Sequence, residues 1–302
     1  MEFGKLNTIS GIDFTLPLDN PITKLVLGNY KPQKPQIFVG PPVWSNKDWV
    51  GKVYPTSAKE KDYLFHYARQ FNTIELNVTH YQIPSQSTIE RWKESVSGTD
   101  FKFCPKWPQI ISHDAQLQRC EGQINEFIEN VSALDNHLGT TFLQLAPYFA
   151  SQQLPVLEKF LEQLPKGFPI AVEFRHQDWF SNEKTWQKTL EVLQKYQVGT
   201  VITDVAGRRD VLHQSLTTPT LTLRFVGNEL HKTDYERVDA WVQKIKTWLD
   251  EGLQTAYIFV HCGGNRLAPE LTKYWIEQLN KQADLSIIPP KFLPKVVQGT
   301  LF

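Results

Sequence analysis

The chain has 302 residues, 41% hydrophobic and 21% charged, enough apolar material for one large core or two ordinary ones. Lys plus Arg and Asp plus Glu number 32 each, so the formal net charge is zero, which argues against broad charge-driven nucleic-acid binding. Three cysteines without metal-type spacing, no basic-then-apolar leader and no apolar run of membrane-spanning length predict a cytoplasmic protein with no membrane partner.

Residues 1–35 read as an N-terminal extension, broken by Pro17, Pro21, Pro32 and Pro35, with no long helical period. From Ile37 the chain alternates short apolar runs with longer amphipathic stretches. The strand candidates are Ile37–Val39, Thr73–Leu76, Phe101–Cys104, Thr141–Leu145, Ile170–Phe174, Thr200–Thr203, Leu221–Phe225 and Ala256–Val260. Helix-like segments lie between and after them: Lys59–Gln70, Ser87–Ser95, Cys120–Asp135, Leu154–Gln163, Glu183–Tyr196, Tyr235–Asp250 and Pro269–Lys281. Asn182 is placed to cap one helix, and Gly199 and Gly252 fall where helices should stop. Strand–helix alternation implies parallel βαβ units, and eight units in about 250 residues predict an α/β fold of the (β/α)8 TIM-barrel type. A doubly wound open sheet is the alternative. The barrel is expected as a single domain over residues 36–285. A Pro-rich extended tail, 286–302, follows it.

Barrel enzymes keep their chemistry at the carboxyl ends of the strands. Seven of the eight predicted strands deliver a polar or ionisable side chain there: Glu75, Asn77, His80 and Tyr81; Lys106, with His113 further out; Gln144; Glu173, Arg175 and His176; Asp204; Arg224; and His261. The segment Ala171–His176 is the densest, with an acid, a fixed cation and an imidazole within four residues. Alternation puts Glu75 with Asn77, and Glu173 with Arg175, on one face, whereas His176 points elsewhere or starts the next loop. Lys106, Arg175 and Arg224 would stabilise the carboxylates and suit a phosphate or carboxylate ligand. Gly263-Gly264 would offer backbone N–H groups to the same anion. Glu173 is the candidate general base, with His176 or His261 as its acid/base partner and Glu75 and Asp204 as further catalytic candidates. Trp44, Trp49, Trp107 and Trp179 fall just after strand-like runs, where they suit either a pocket wall or edge-of-core packing. Glu75, Glu173, His176, Asp204 and His261 are metal-ligating types, but no HxH or HExxH spacing joins them. No cofactor is implied, and a divalent metal stays open as the lesser reading.

The stretches FNTIELNVTHYQIP (71–84), FKFCPKWPQIISH (101–113), LGTTFLQLAPYF (138–149), AVEFRHQDWF (171–180) and VITD (201–204) resemble, in order, the motifs of the YecE-like family, domain of unknown function 72. The resemblance covers residues 37–270 and implies a TIM-type barrel of unestablished activity. It also exposes two departures. The family pattern Arg-Phe-His-Gly after the seventh strand is Arg224-Phe225-Val226-Gly227 here. The pattern Phe-Asn-Asn at the eighth is His261-Cys262-Gly263-Gly264-Asn265. A histidine lost at one strand end and gained at the next reads as compensation or as altered or lost activity. Separately, the terminal QGTLF is similar to the peptides that dock on the bacterial sliding clamp. Gln298, Leu301 and Phe302 would make the contact, and a frayed terminus is the plain alternative.

Three functions follow in order of preference. The first is an enzyme acting by general acid/base chemistry on an anionic, sugar-like or phosphorylated small molecule. In it Trp44, Asn77, Tyr81, Lys106, Gln144, Arg175, His176 and Arg224 contact the ligand. The second is a DNA-repair-type phosphodiester-binding enzyme or accessory that docks a clamp through its tail. The third is a non-catalytic binding barrel.

Overall fold

Eight parallel strands form where apolar, β-branched runs meet turns: β1 Gln36–Gly40, β2 Thr73–Leu76, β3 Lys102–Pro105, β4 Thr141–Gln144, β5 Ile170–Glu173, β6 Gly199–Asp204, β7 Thr220–Val226 and β8 Thr255–His261. The structure is a computed structural model that describes residues 4–294. The helices are α1 Pro21–Leu27, α2 Tyr63–Tyr67, α3 Gln86–Val96, α4 Glu121–Ser132, α5 Leu154–Glu162, α6 Glu183–Lys195, α7 Lys232–Glu251 and α8 Ala268–Ala283. Each strand expected from the sequence is present, with ends shifted by a residue or so. Among the described residues, no helix is long and apolar enough to cross a membrane.

Most helix boundaries follow local chemistry. Asn182 caps α6 by accepting from the Lys184 and Thr185 amides. Gly252, at φ 121°, ends α7. Gly199 does not end α6; it opens β6, and the left-handed residue after α6 is Gln197 at φ 57°. The N-terminal extension does hold one short helix, α1, because Pro21 tolerates a first helical turn and Asn20 caps it. Asp19 ties this segment to α7 through Lys244 (3.0 Å) and the Trp248 indole (3.2 Å).

Strands β1-β8-β7-β6-β5-β4 form one continuous parallel ladder, and β2-β3 form a second. The two ladders meet at two seams, which close the barrel. At the β3–β4 seam the backbone joins them, with Gly139 donating to Phe103 (2.7 Å) and Trp107 to Phe142 (3.0 Å). At the β1–β2 seam side chains do the work. Asn72 accepts from the Val39 amide (2.8 Å) and donates to the Ile37 carbonyl (2.9 Å). The buried Tyr67 hydroxyl donates to the Pro41 carbonyl (2.7 Å) and lies 2.9 Å from that of Thr73.

Side chains fill the barrel in layers, as closure requires. Phe38 and Tyr257 stack with centroids 5.1 Å apart, beside Cys104 and Phe259. Phe142, Ala171 and Val201 pack together as a second apolar group. Outward-facing residues of the same strands pack on the helices in two larger clusters. Trp49, Trp107 and Trp179 belong to those clusters and are fully buried, so core packing is the reading that holds for them.

The β1–β2 seam is tight. A Cβ on Gly40 would lie 2.0 Å from the Thr73 carbonyl oxygen. Gly40→Ala must therefore spread the seam, and we expect it to cost about 2–3 kcal/mol, the scale of a strained overpacking substitution. Urea unfolding measures this, and an unchanged midpoint would contradict the account of the seam.

Candidate active site

One face of each strand looks into the barrel, and at the carboxyl ends these faces change from apolar to charged. Arg224 of β7 spans the interior. Its Nε and Nη2 donate to both Glu75 oxygens (2.9 and 3.0 Å), and Nη1 reaches both Glu173 oxygens (3.0 and 3.2 Å). Glu75 also accepts from Asn77 Nδ2 (2.8 Å) and pairs with His261 Nε2 (2.9 Å). Glu173 also accepts from Gln144 (2.6 Å), Thr203 (2.9 Å) and Arg175 (3.3 Å). Lys106 Nζ donates to Gln144 Oε1 (2.9 Å), extending the network to β3. A single hydrogen-bonded net thus links groups on or just beyond seven of the eight strands.

Burial and partners pull the titrations in opposite directions. Burial pushes the Glu173 carboxyl up, but Arg175 and Arg224 outweigh it and bring it down to about 2. Glu75 is likewise raised by burial and then held well below the carboxylate range by Arg224 and His261. Lys106 is brought down to about 8, first by burial and then by Arg224. His80, which holds the Trp107 carbonyl through Nδ1 (2.9 Å), falls to about 4 by burial and the Lys106 charge. Both acids are therefore anions. An ionised carboxylate only accepts, so His261 donates its Nε2–H to Glu75, leaving Nδ1 as the nitrogen able to exchange a proton.

A cavity of about 870 Å³ opens over this net. Its floor carries Lys106, Gln144, Arg175, Thr203, Arg224 and His261. The loops after β7 and β8, Gly227–His231 and Cys262–Asn265, form one side, and residues 4–10 form another. Gly263, Gly264 and Asn265 all have left-handed backbone (φ 55°, 59° and 71°), which turns that loop sharply at the rim.

Several candidates lie elsewhere. Asp204 follows Thr203 on β6 and so faces outward, beneath α7. There it accepts from Arg237 Nη2 (2.7 Å) and the Trp241 indole (2.7 Å), and Arg209 also reaches it. His176 caps the short turn Gln177–Trp179 by accepting from the Asp178 amide (3.2 Å). Trp44 sets its ring edge-on to Trp92, 5.9 Å between centroids, and is not among the cavity-lining residues. Tyr81 is 75% exposed beside His80. The five metal-ligating types thus do not converge: Glu75 and His261 meet, while His176 and Asp204 stay apart. Among the described residues no group of three or more His, Cys, Asp or Glu side chains is arranged to hold a metal ion. Gln298, Leu301 and Phe302 lie outside the described residues. Sequence reading passed over Thr203, although alternation along β6 would have chosen it before Asp204. It also missed the cavity wall made by residues 4–10, which no local pattern announces.

The net lies wholly within a stretch that matches a known family. A family model described as "Protein of unknown function DUF72" matches residues 38–295. The chain belongs to the DUF72 family. Its similarity to the UPF0759 protein YecE of Escherichia coli K12 is 34% identity over 263 residues, 81% of this chain and 93% of that protein. UPF0759 protein YunF of Bacillus subtilis is 24% identical over 152 residues, 48% of this chain and 52% of that protein. Crystal structures of DUF72 proteins share the fold. One from Enterococcus faecalis has TM-score 0.64 at 20% identity, covering 83% of this chain and 98% of that one. One from Thermotoga maritima has TM-score 0.61 at 23% identity, covering 83% and 100%.

The two positions read from the sequence as departures, Val226 and His261, fall on one rung of the sheet. Val226 of β7 is the register partner of His261 of β8, and both line the cavity. The imidazole is thus offered from the adjacent strand at the same depth.

Arg224→Met leaves two buried carboxylates without their main counter-ion, and we expect about 3–5 kcal/mol of lost stability at pH 7. Arg224→Lys should not restore it, since an ammonium cannot serve two carboxylates bidentately. The sign with pH is distinctive. In the unmodified protein Glu173 titrates below its ordinary 4.5, so its contribution is present above pH 4.5 and lost as pH falls toward 2. In Arg224→Met burial favours the neutral acids, so stability should recover as pH falls from 7 to 5. Urea unfolding across that range tests it.

Proposed function

We propose that this DUF72 barrel binds a small phosphorylated or carboxylated, sugar-like molecule in the cavity at the carboxyl ends of its strands and acts on it by general acid/base chemistry. One observation carries the reading. Three cations, Lys106, Arg175 and Arg224, meet two carboxylates on the cavity floor, and Arg224 is saturated by those two. Lys106 has a neutral carboxamide as its direct partner. The floor therefore carries a net positive charge in a recess screened from water, where one anionic group is favoured.

The roles follow from the titrations. Glu173, saturated with donors and ionised down to about pH 2, is a poor proton acceptor, and its work is to hold Arg224, Arg175 and Gln144 in place. Proton transfer falls to His261, whose ring Glu75 orients from behind, a carboxylate–imidazole arrangement that fixes the tautomer. Lys106 and Arg175 hold the anion, and Gln144 ties the lysine to the net.

Titration calorimetry against phosphorylated and carboxylated sugars tests the site. Affinity should fall above about pH 8 as Lys106 loses its proton, and Lys106→Met should both weaken binding and remove that pH dependence. A pH-independent affinity in the unmodified protein would rule Lys106 out as the anion's partner. For the ligand that binds, His261→Asn should lower turnover by roughly 100-fold, the scale of a lost general acid or base, with affinity little changed.

A further inference from the structure

The cavity has a wall that the family barrel does not include. Residues matched by the family model begin at 38, whereas Lys5, Leu6, Asn7, Thr8, Ile9 and Ser10 all line the cavity. We propose that this N-terminal strap is a specificity element of the site: it contacts the bound ligand directly, limits its size and slows its release. The proposal rests on the mouth being a ligand site.

The strap is seated, not merely adjacent. The Gly207 amide, just after β6, donates to the Gly4 carbonyl (2.9 Å). The two glycines interlock. A Cβ on Gly207 would lie 2.7 Å from that carbonyl oxygen and 3.0 Å from Leu6, and a Cβ on Gly4 would lie 2.8 Å from Val205. Gly4 also has φ +72°, a backbone that side-chain-bearing residues rarely adopt. Further along, Arg209 donates to the Thr15 carbonyl (3.2 Å), and the Phe14 ring lies beneath Arg209 and Arg237, 5.4 and 4.9 Å from the ring centre. These are the two arginines that hold Asp204. The outward-facing acid of β6 thereby serves the site at one remove, by fixing the cations on which the strap is threaded.

The chemistry of the strap suits the ligand class. It brings the Lys5 ammonium, the Asn7 amide and the Thr8 and Ser10 hydroxyls to a cavity whose floor takes an anion. A phosphate on the floor would leave hydroxyls of an attached sugar facing these groups.

Two full-length variants release the strap without altering any floor residue: Gly207→Ala from the barrel side and Gly4→Val from the strap side. Gly4 lies outside the barrel, so Gly4→Val should leave the thermal midpoint unchanged even if Gly207→Ala lowers it. Two readouts decide the matter. Acetylation of Lys106 by acetic anhydride, followed by mass spectrometry, needs no ligand and should run several-fold faster in both variants. Ribose 5-phosphate should dissociate on the order of tenfold faster from both, since changes at a preformed contact act mainly on release. Equal acetylation in all three proteins overturns the wall, as does an unchanged off-rate in both variants. If the unmodified chain binds no phosphorylated or carboxylated sugar, the functional reading fails. The acetylation result then still decides whether the strap covers the mouth.

Discussion

Two carboxylates buried within one barrel are not stable without a shared cation, and Arg224 is that cation. Its planar fork offers donors on two edges, so a single side chain from β7 satisfies Glu75 of β2 and Glu173 of β5 together. The rest of the mouth is arranged around this bridge. Because the acids are locked as anions, they cannot serve readily as proton acceptors, and under the proposed function that work would pass to His261. Because Arg224 is spent on them, Lys106 and Arg175 supply the positive charge that remains.

The strands were legible because a buried parallel sheet demands unbroken apolar runs, and runs such as Ile170-Ala171-Val172 have few other uses. Alternation then placed Glu173 with Arg175 and Glu75 with Asn77, and both pairs are hydrogen-bonded. The same rule excludes Asp204 from the mouth, since Thr203 occupies the inward position on β6. A strand tip is a direction as well as a place, and the Asp204 side chain points outward to Arg237 and Trp241. The role of Glu173 was less legible. Its type suggested a base, but its proton affinity depends on how many donors converge from other strands, and that number exists only after closure. The N-terminal strap had no local signature at all. Its position follows from Gly4, Gly207 and a pair of arginines about two hundred residues away.

The resemblance drawn from the sequence motifs acquires physical content at the β7–β8 rung. A motif that places an imidazole on β7 and one that places it on β8 look unrelated in sequence, yet parallel register sets Val226 beside His261. From β8 the ring also reaches Glu75, which fixes its orientation. The carboxylate thus serves two partners at once, Arg224 from one side and the imidazole from the other.

The seams around the β2–β3 pair bear on how the barrel would respond to an occupant. This pair is joined to its neighbours by isolated backbone bonds on one side and by Asn72 and Tyr67 on the other, and it is the pair that carries Glu75 and Lys106. Part of the site is therefore mounted on the least continuously bonded arc of the wall. An anion held between Lys106 of that arc and Arg175 beyond β5 would act as a tie across the β3–β4 seam. Occupancy and wall rigidity would then be one equilibrium, in which such an anion would complete a ring that the backbone alone leaves partly unstitched.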